Sequence, residues 1–289
     1  MDRKTENKTT ATSEVTAISP SRSSVPLVPL VALWLGALAA VLLPGRPAPV
    51  RAAESPYLRP DFQRLLDAVT LQISFDRDSL MPDMAEADEY RPHPSPAATA
   101  AAPGPRFADG LLGRALVLGS GCGVYPRVGN VTLEQRGAVA LWIQPQNWQR
   151  PRDGNCVFLM TGNSTFYLER QGPDIDDEGR VRRQEGILYL AIVPGTRSAT
   201  IDGGGDWQNG RWYLLVANWS WPTMELSING RPFAVQALSQ QPAEGVFGNL
   251  VVGDQGGAAR GLIDEVFAFR RPLTLEEVQL LWQLRPEQN

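Results

Sequence analysis

The sequence predicts an all-β protein: a two-sheet antiparallel sandwich with a short C-terminal helix, preceded by an N-terminal hydrophobic segment. Three observations predict it. About ten short segments alternate apolar and polar residues, the pattern of strands half-buried on one side. Gly, Asn or Pro stands at most of their ends, where the chain must turn. Only the last segment carries both the cap and the apolar period of a strong helix.

In chain order, residues 1–24 are polar, rich in Ser and Thr, and carry Arg3, Lys4, Lys8 and Arg22. Residues 25–43, VPLVPLVALWLGALAAVLL, are an uncharged apolar run long enough to anchor the chain in a bilayer. The PGRPAPVRAAES that follows offers Val50 and Ala52 as the small −3 and −1 residues of a signal-peptidase site, so a cleaved signal peptide is the other reading. Either way the amino end stays inside and everything after about residue 53 is exported. The product is membrane-anchored by one N-terminal helix, or secreted or periplasmic after cleavage. No other segment meets the membrane.

Residues 53–69 form a lead-in, with an amphipathic helix at 59–68 that puts Phe62, Leu65 and Leu66 on one face. TLQISFD (70–76) opens a domain predicted over 70–289. Within it, Tyr90–Pro105 is Pro/Ala-rich and cannot hold a packed core, so it reads as an exposed loop. Strands follow at 114–119, 137–144, 156–162, 164–170, 187–193, 211–219, 223–228, 249–253 and 262–269. Asn229–Gly230 is the strongest hairpin signal, because a tight turn needs positive φ at both central positions. In the final helix Thr274 is the cap and Glu277 answers three residues later, while Leu275, Val278, Leu281 and Trp282 form the apolar stripe.

Composition bounds the function. The chain has 289 residues, is 43% hydrophobic and carries a formal charge of −4, enough for a large core and the wrong sign for a nucleic-acid face. Residues 1–52 hold six Arg or Lys and three Asp or Glu, so the remainder falls from −4 to −7 and keeps no lysine. One histidine, His93, lies between two prolines and reads as exposed and inert; with two cysteines it argues against zinc and His-dependent triads. Export permits a Cys122–Cys156 disulfide, the single pairing two cysteines allow; two small buried side chains are the alternative. Asn130, Asn163 and Asn218 begin N-x-S/T triplets, which matter only in a glycosylating host.

The segment order resembles the laminin-G-like branch of the concanavalin A-like lectin/glucanase superfamily. GLIDEVFAFRRPLTLEEVQLLW (261–282) looks like the family's closing strand, acidic pair and helix. GLLGRALVLG (110–119) is similar to its early glycine-containing strand, GRWYLLVANWSWPTMELSINGRPFA (210–234) to its central hairpin, and LQISFDRDSL (71–80) to its opening strand. The resemblance covers about residues 70–284 and implies a jelly-roll sandwich used mostly for adhesion, glycan recognition or accessory duty. The insertion at 90–105 departs from the pattern.

Glucanases on such a fold set carboxylates at alternate positions of one strand, so that two project together into a groove. No such strand is present. Asp264 and Glu265 are adjacent, which in a regular strand sends them to opposite faces, and Glu225 alternates with Ser227 and Asn229. The sequence therefore reads as non-enzymatic. Asp264 suits a structural use near Phe75–Asp76: its carboxylate either ties loop amides, the preferred reading, or meets that backbone through Ca²⁺. DIDDEGRVRRQE (174–185) can be counted as a calcium loop, with Asp174, Asp176 and Glu178 at positions 1, 3 and 5, Gly179 at the turn and Glu185 at position 12. Against it stand strand-like flanks and the charges of Arg180, Arg182 and Arg183; a solvated hairpin with weak ion pairs is the alternative.

Tryptophan supplies the last lead. Trp142, Trp212 and Trp282 fall on apolar faces and read as core. Trp148, Trp207, Trp219 and Trp221 sit in or beside predicted loops, near Asn147, Asp206, Asn209 and Asn218. Exposed indole beside amide and carboxylate is the chemistry of sugar recognition, and also of protein interfaces; packing on the neighbouring sheet is the alternative. The expectation is an exported, non-catalytic binding module for a glycan, with docking to an envelope protein second and a divergent glycoside hydrolase third.

Overall fold

The computed structural model describes residues 60–86, 104–127, 129–131, 135–148, 156–162, 165–172, 174–175, 178, 180–183, 186–191, 199–204, 207–238, 242, 245, 247–254 and 260–285. The apolar run 25–43 and residues 90–103 lie outside these. Among the described residues no helix is long and apolar enough to cross a membrane.

Helix α1 (Pro60–Leu66) opens on a proline, whose fixed φ suits a first helical turn, and buries Phe62 and Leu65 while Leu66 is half-buried. Strands β1 (Val69–Ile73), β2 (Met84–Ala85), β3 (Phe107–Asp109), β4 (Arg114–Val117), β5 (Gly121–Tyr125) and β6 (Arg136–Pro145) follow. Next come β7 (Cys156–Thr161), β8 (Phe166–Gln171), β9 (Asp174–Ile175), β10 (Val181–Arg183), β11 (Gly186–Ala191) and β12 (Ala199–Gly204). The chain ends with β13 (Tyr213–Ser220), β14 (Thr223–Ile228), β15 (Ala234–Ala237), β16 (Leu250–Asp254), β17 (Gly261–Phe269) and helix α2 (Leu275–Trp282). Sequence reading omits the short strands β2, β3, β9, β10 and β15, and also β5 and β12, GCGVY and ATIDGG, whose glycines weaken the strand pattern.

Two antiparallel sheets carry the fold. The larger has nine strands in the order β15-β14-β13-β6-β17-β1-β2, with β4 also on β17 and β3 on β4; the smaller runs β12-β11-β8-β7-β16-β5. The opening and closing strands, β1 and β17, are neighbours. The predicted turn forms as expected, with Asn229 and Gly230 at φ 57° and 72°.

Apolar side chains make two layers, not one. Between the sheets lie Val139, Leu141 and Ile143 of β6 with Leu215 and Ala217 of β13, facing Phe158, Leu168, Leu250 and Val252 of the smaller sheet. On the far side of the larger sheet, Ala138, Ala140 and Trp142 alternate with them and pack under Phe62, Leu65, Val278 and Leu281 of the two helices. Trp282 stacks on Trp142 at 5.3 Å between ring centroids. Helix α2 is held by the predicted capping box: Glu277 N donates to Thr274 Oγ1 at 3.3 Å and Thr274 N to Glu277 Oε2 at 2.9 Å. Arg271 grips the same Glu277 through both its terminal nitrogens, at 2.7 and 2.5 Å.

The disulfide is a correction. Cys122 and Cys156 are both buried and are not bridged. Cys122 lies on β5 and Cys156 on β7, and β16 runs hydrogen-bonded between them. Two interstrand spacings separate the strands by about 9.5 Å, beyond the Cα reach of a disulfide.

Candidate functional site

The four tryptophans read as exposed sugar platforms are buried, which corrects that expectation. Trp148 and Trp219 are 1% and 0% exposed, Trp207 and Trp221 6% and 9%. The physical reason is that a two-sheet sandwich is open at its ends: Trp148, Trp207 and Trp221 fold inward from beside the strands to plug them, while Trp219 lies within β13 and faces the inter-sheet core. Trp148 follows the last residues of β6, whereas Trp219 pairs with Gly137 at that strand's start, so the set divides between opposite ends. At one end Trp148 stacks on Phe158 at 5.8 Å and meets Trp207, which leans on Tyr213 at 4.6 Å. At the other, Trp219 meets Phe166 edge-on and Trp221 stacks on Phe247.

The amides beside these indoles serve the main chain. Asn209 Oδ1 accepts from Trp148 N at 3.1 Å and Asn147 Oδ1 from Arg260 N at 2.9 Å, while Trp148 Nε1 donates to Arg260 O at 2.8 Å. Gly210 N also donates to Pro145 O, so the segments around 145–148, 207–211 and 260 are laced into one knot. Beneath it Arg170 is fully buried, donates from Nη2 to Trp148 O at 3.0 Å and lies 5.1 Å from the Trp148 ring. At the other end Asn218 is locked by Leu273, accepting from its N–H and donating to its carbonyl. Asn130 and Asn218 are both 1% exposed, so neither N-x-S/T site is accessible in the fold, and Asn163 lies outside the described residues.

Of the calcium-loop residues, Asp176 and Glu185 lie outside the described residues, as does Gly179. Asp174 begins β9, which pairs with β10 through Ile175–Val181 and Asp174–Arg183. Glu178 is exposed and ion-paired with Arg180 at 2.8 Å. Among the described residues no three Asp, Glu, His or Cys converge as a metal site.

Asp264 and Asp76 act on one turn. Asp264 is fully buried and its Oδ2 accepts from Leu111 N at 2.7 Å and Leu112 N at 3.1 Å, while Oδ1 accepts from Glu265 N. Asp76 Oδ1 accepts from Arg114 N at 2.9 Å. The two carboxylates thus clasp Gly110-Leu111-Leu112-Gly113, which closes through Gly110 N to Gly113 O. A Cβ on Gly113 would lie 1.9 Å from Asp76 Oδ1, and that residue sits at φ 71°, so glycine is required twice over. Burial pushes the Asp264 carboxyl up to about 7 against the pull of the three amides, and Asp76 adds a smaller push. The adjacent acids do not alternate as a regular strand would demand. The register with β6 shifts between Asp264 and Phe267, and Glu265 takes φ 48°, so this bulge leaves both buried.

Sequence reasoning missed a different surface. Tyr167 of β8 lies in register with Met160 of β7, which faces Val251 of β16 and then Val124 of β5. Tyr167, Met160 and Val157 belong to neither apolar layer and are half-buried, beside a Glu169–Gln171 side-chain bond of 2.9 Å. No apolar layer covers this outer face among the described residues. The alternation in STFYLER carries the signal, since Phe166 and Leu168 point inward and Tyr167 lies between them. A separate cleft of about 450 Å³ opens between the two helices, lined by Asp61, Arg64, Arg271, Glu276 and Gln279 over Leu280.

Solved structures share this architecture. The receptor-binding domain of botulinum neurotoxin mosaic serotype C/D matches at TM-score 0.56 and 12% identity, over 75% of this chain and 51% of that one. Domain 4 of a GH43 extracellular arabinanase from Geobacillus stearothermophilus, solved with arabinotriose, matches at 0.50 and 17%, over 76% and 100%. The binding domain of botulinum neurotoxin DC, in complex with rat synaptotagmin II, matches at 0.57 and 13%, over 76% and 52%. This chain spans about half the length of the toxin domains. No curated protein matches by sequence. The family model for laminin-G-like domains matches residues 119–279, more than half of the chain, and the protein belongs to the concanavalin A-like lectin/glucanase superfamily.

Proposed function

We propose that this is an exported, non-catalytic binding module that recognises a glycan. The observation that carries the reading is the outer face of the smaller sheet, where a half-buried tyrosine stands beside a carboxylate and an amide on an otherwise apolar row. Such a surface suits the mixed apolar and hydroxyl character of a sugar. The arabinanase domain solved with arabinotriose and the toxin binding domains support a binding role. Residues that would have to catalyse are engaged otherwise: Asp264 holds a turn and Glu225 accepts from Asn218. The 25–43 segment anchors the module or is cleaved after export. Calcium enters the reading only through 174–185.

Residues 53–289 form a compact unit of their own and are the material for the test. They are applied to a glycan and polysaccharide panel in calcium and again in EDTA. Saturable binding supports the module; loss in EDTA assigns calcium a part in recognition, and retention removes it. Silence in both buffers overturns the glycan reading in favour of protein docking, for which the toxin domain bound to synaptotagmin II is the precedent. Release of reducing sugar would overturn the non-catalytic reading.

A further inference from the structure

Four side chains on the outer face of the smaller sheet stand in one line across four strands. Tyr167 of β8 is in register with Met160 of β7, Met160 with Val251 of β16, and Val251 with Val124 of β5. Tyr167, Met160 and Val124 are each half-buried, so solvent reaches the line at both ends and along its length. Three interstrand steps make it about 14 Å long. A bulge in β7 completes it. The register with β8 shifts between Val157 and Leu159, which turns Phe158 and Leu159 both into the inter-sheet core and brings Met160 out beside Tyr167. Simple alternation from Val157 would have pointed Met160 inward. Among the described outward side chains of these four strands, Glu169 carries the one charge; it is 9% exposed and accepts from Gln171 Nε2 at 2.9 Å. Its neighbour Arg170 is turned inward under Trp148, so none of those side chains is a cation.

We infer that this face takes a neutral, extended oligosaccharide laid across the strands, with about three pyranose units on the line from Tyr167 to Val124. The inference rests on the glycan reading and adds to it the class of sugar. In an extended, equatorially linked chain each pyranose advances by roughly one interstrand spacing and keeps a C–H face along the chain, which suits an apolar line of this length. A single sugar covers Tyr167 and leaves the rest of the line wet. An acidic glycan brings its carboxylates toward Glu169 with no cation to offset them, and like charges facing each other across an interface repel.

The test titrates residues 53–289 with xylo- and cello-oligosaccharides of increasing length, from the monosaccharide to the pentamer, and with oligogalacturonides of matched length as the acidic series. Affinity is expected to rise about tenfold with each added unit up to the third and then to level, with the acidic series weaker by about tenfold or more. Val124→Ala, at the far end of the line from Tyr167, should weaken the trimer more than the monosaccharide. Glu169→Gln should narrow the gap between the neutral and acidic series. A monosaccharide that binds as tightly as the trimer overturns the inference and leaves the glycan reading standing on Tyr167 alone. Equal affinity for the acidic series overturns it as well. Silence in both series while another sugar binds on the broad panel also overturns it and spares the glycan reading; silence on the panel too removes both together. Should either variant fold poorly, the length series on the unmutated protein decides.

Discussion

Strands β17 and β8 both run through the middle of a sheet, yet all nine residues of β17 are buried whereas β8 leaves Tyr167 and Gln171 half-buried on either side of a buried Glu169. The difference is in what lies outside. The larger sheet has helices α1 and α2 over its outer face, so its central strands are solvated on neither side. Among the described residues the smaller sheet has an apolar layer, the inter-sheet core, on one side only. A strand buried on both faces is committed to stability, and a strand with one open face has side chains left over for recognition.

The largest expected break in this comparison is Trp142→Ala. Trp142 sits under both helices and stacks on Trp282, so its removal should cost about 3–5 kcal/mol, read as a fall in the denaturant midpoint. A cost below about 1 kcal/mol would mean that the helical layer is dispensable and that the two sheets do not differ as described. Next comes Asp264, also on the covered sheet. Because burial raises its carboxyl to about 7 from 3.8, the folded chain keeps this proton over a range where the unfolded chain has lost it. Its contribution is therefore fully present below about pH 4 and is lost as pH rises through 7, a change on the order of a few kcal/mol. Asp264→Asn should flatten that slope in thermal unfolding followed from pH 4 to 8; an unchanged slope would assign it elsewhere. The smallest effect belongs to Tyr167→Ala, expected to change stability by no more than about 0.5 kcal/mol. A loss of several times that would show the open face to be packed after all.

The same contrast explains what the sequence made legible. Ten of the seventeen strands among the described residues, the Asn229–Gly230 turn and the α2 capping box follow from local chemistry, because alternation, positive φ and an N-cap act within a few residues. The loop-amide role of Asp264 was also within reach, although its partners proved to be Leu111 and Leu112. The tryptophans were not. Trp148 and Trp207 stand in polar, loop-like surroundings, and only the closed sandwich shows that those loops cap its end. The asparagines that suggested hydroxyl recognition hydrogen-bond the backbone of segments distant in sequence, such as Asn147 with Arg260, and no local pattern announces such a pairing. The cysteines failed for a related reason: their spacing along the chain says nothing about the strand that comes between them.

That intervening strand has a consequence for where the protein can be made. With β16 hydrogen-bonded between the two thiol-bearing strands, the sandwich owes none of its cohesion to oxidation. The module should assemble as readily in a reducing cytosol as beyond the membrane, without oxidant or isomerase, and dithiothreitol should leave its melting point where it was.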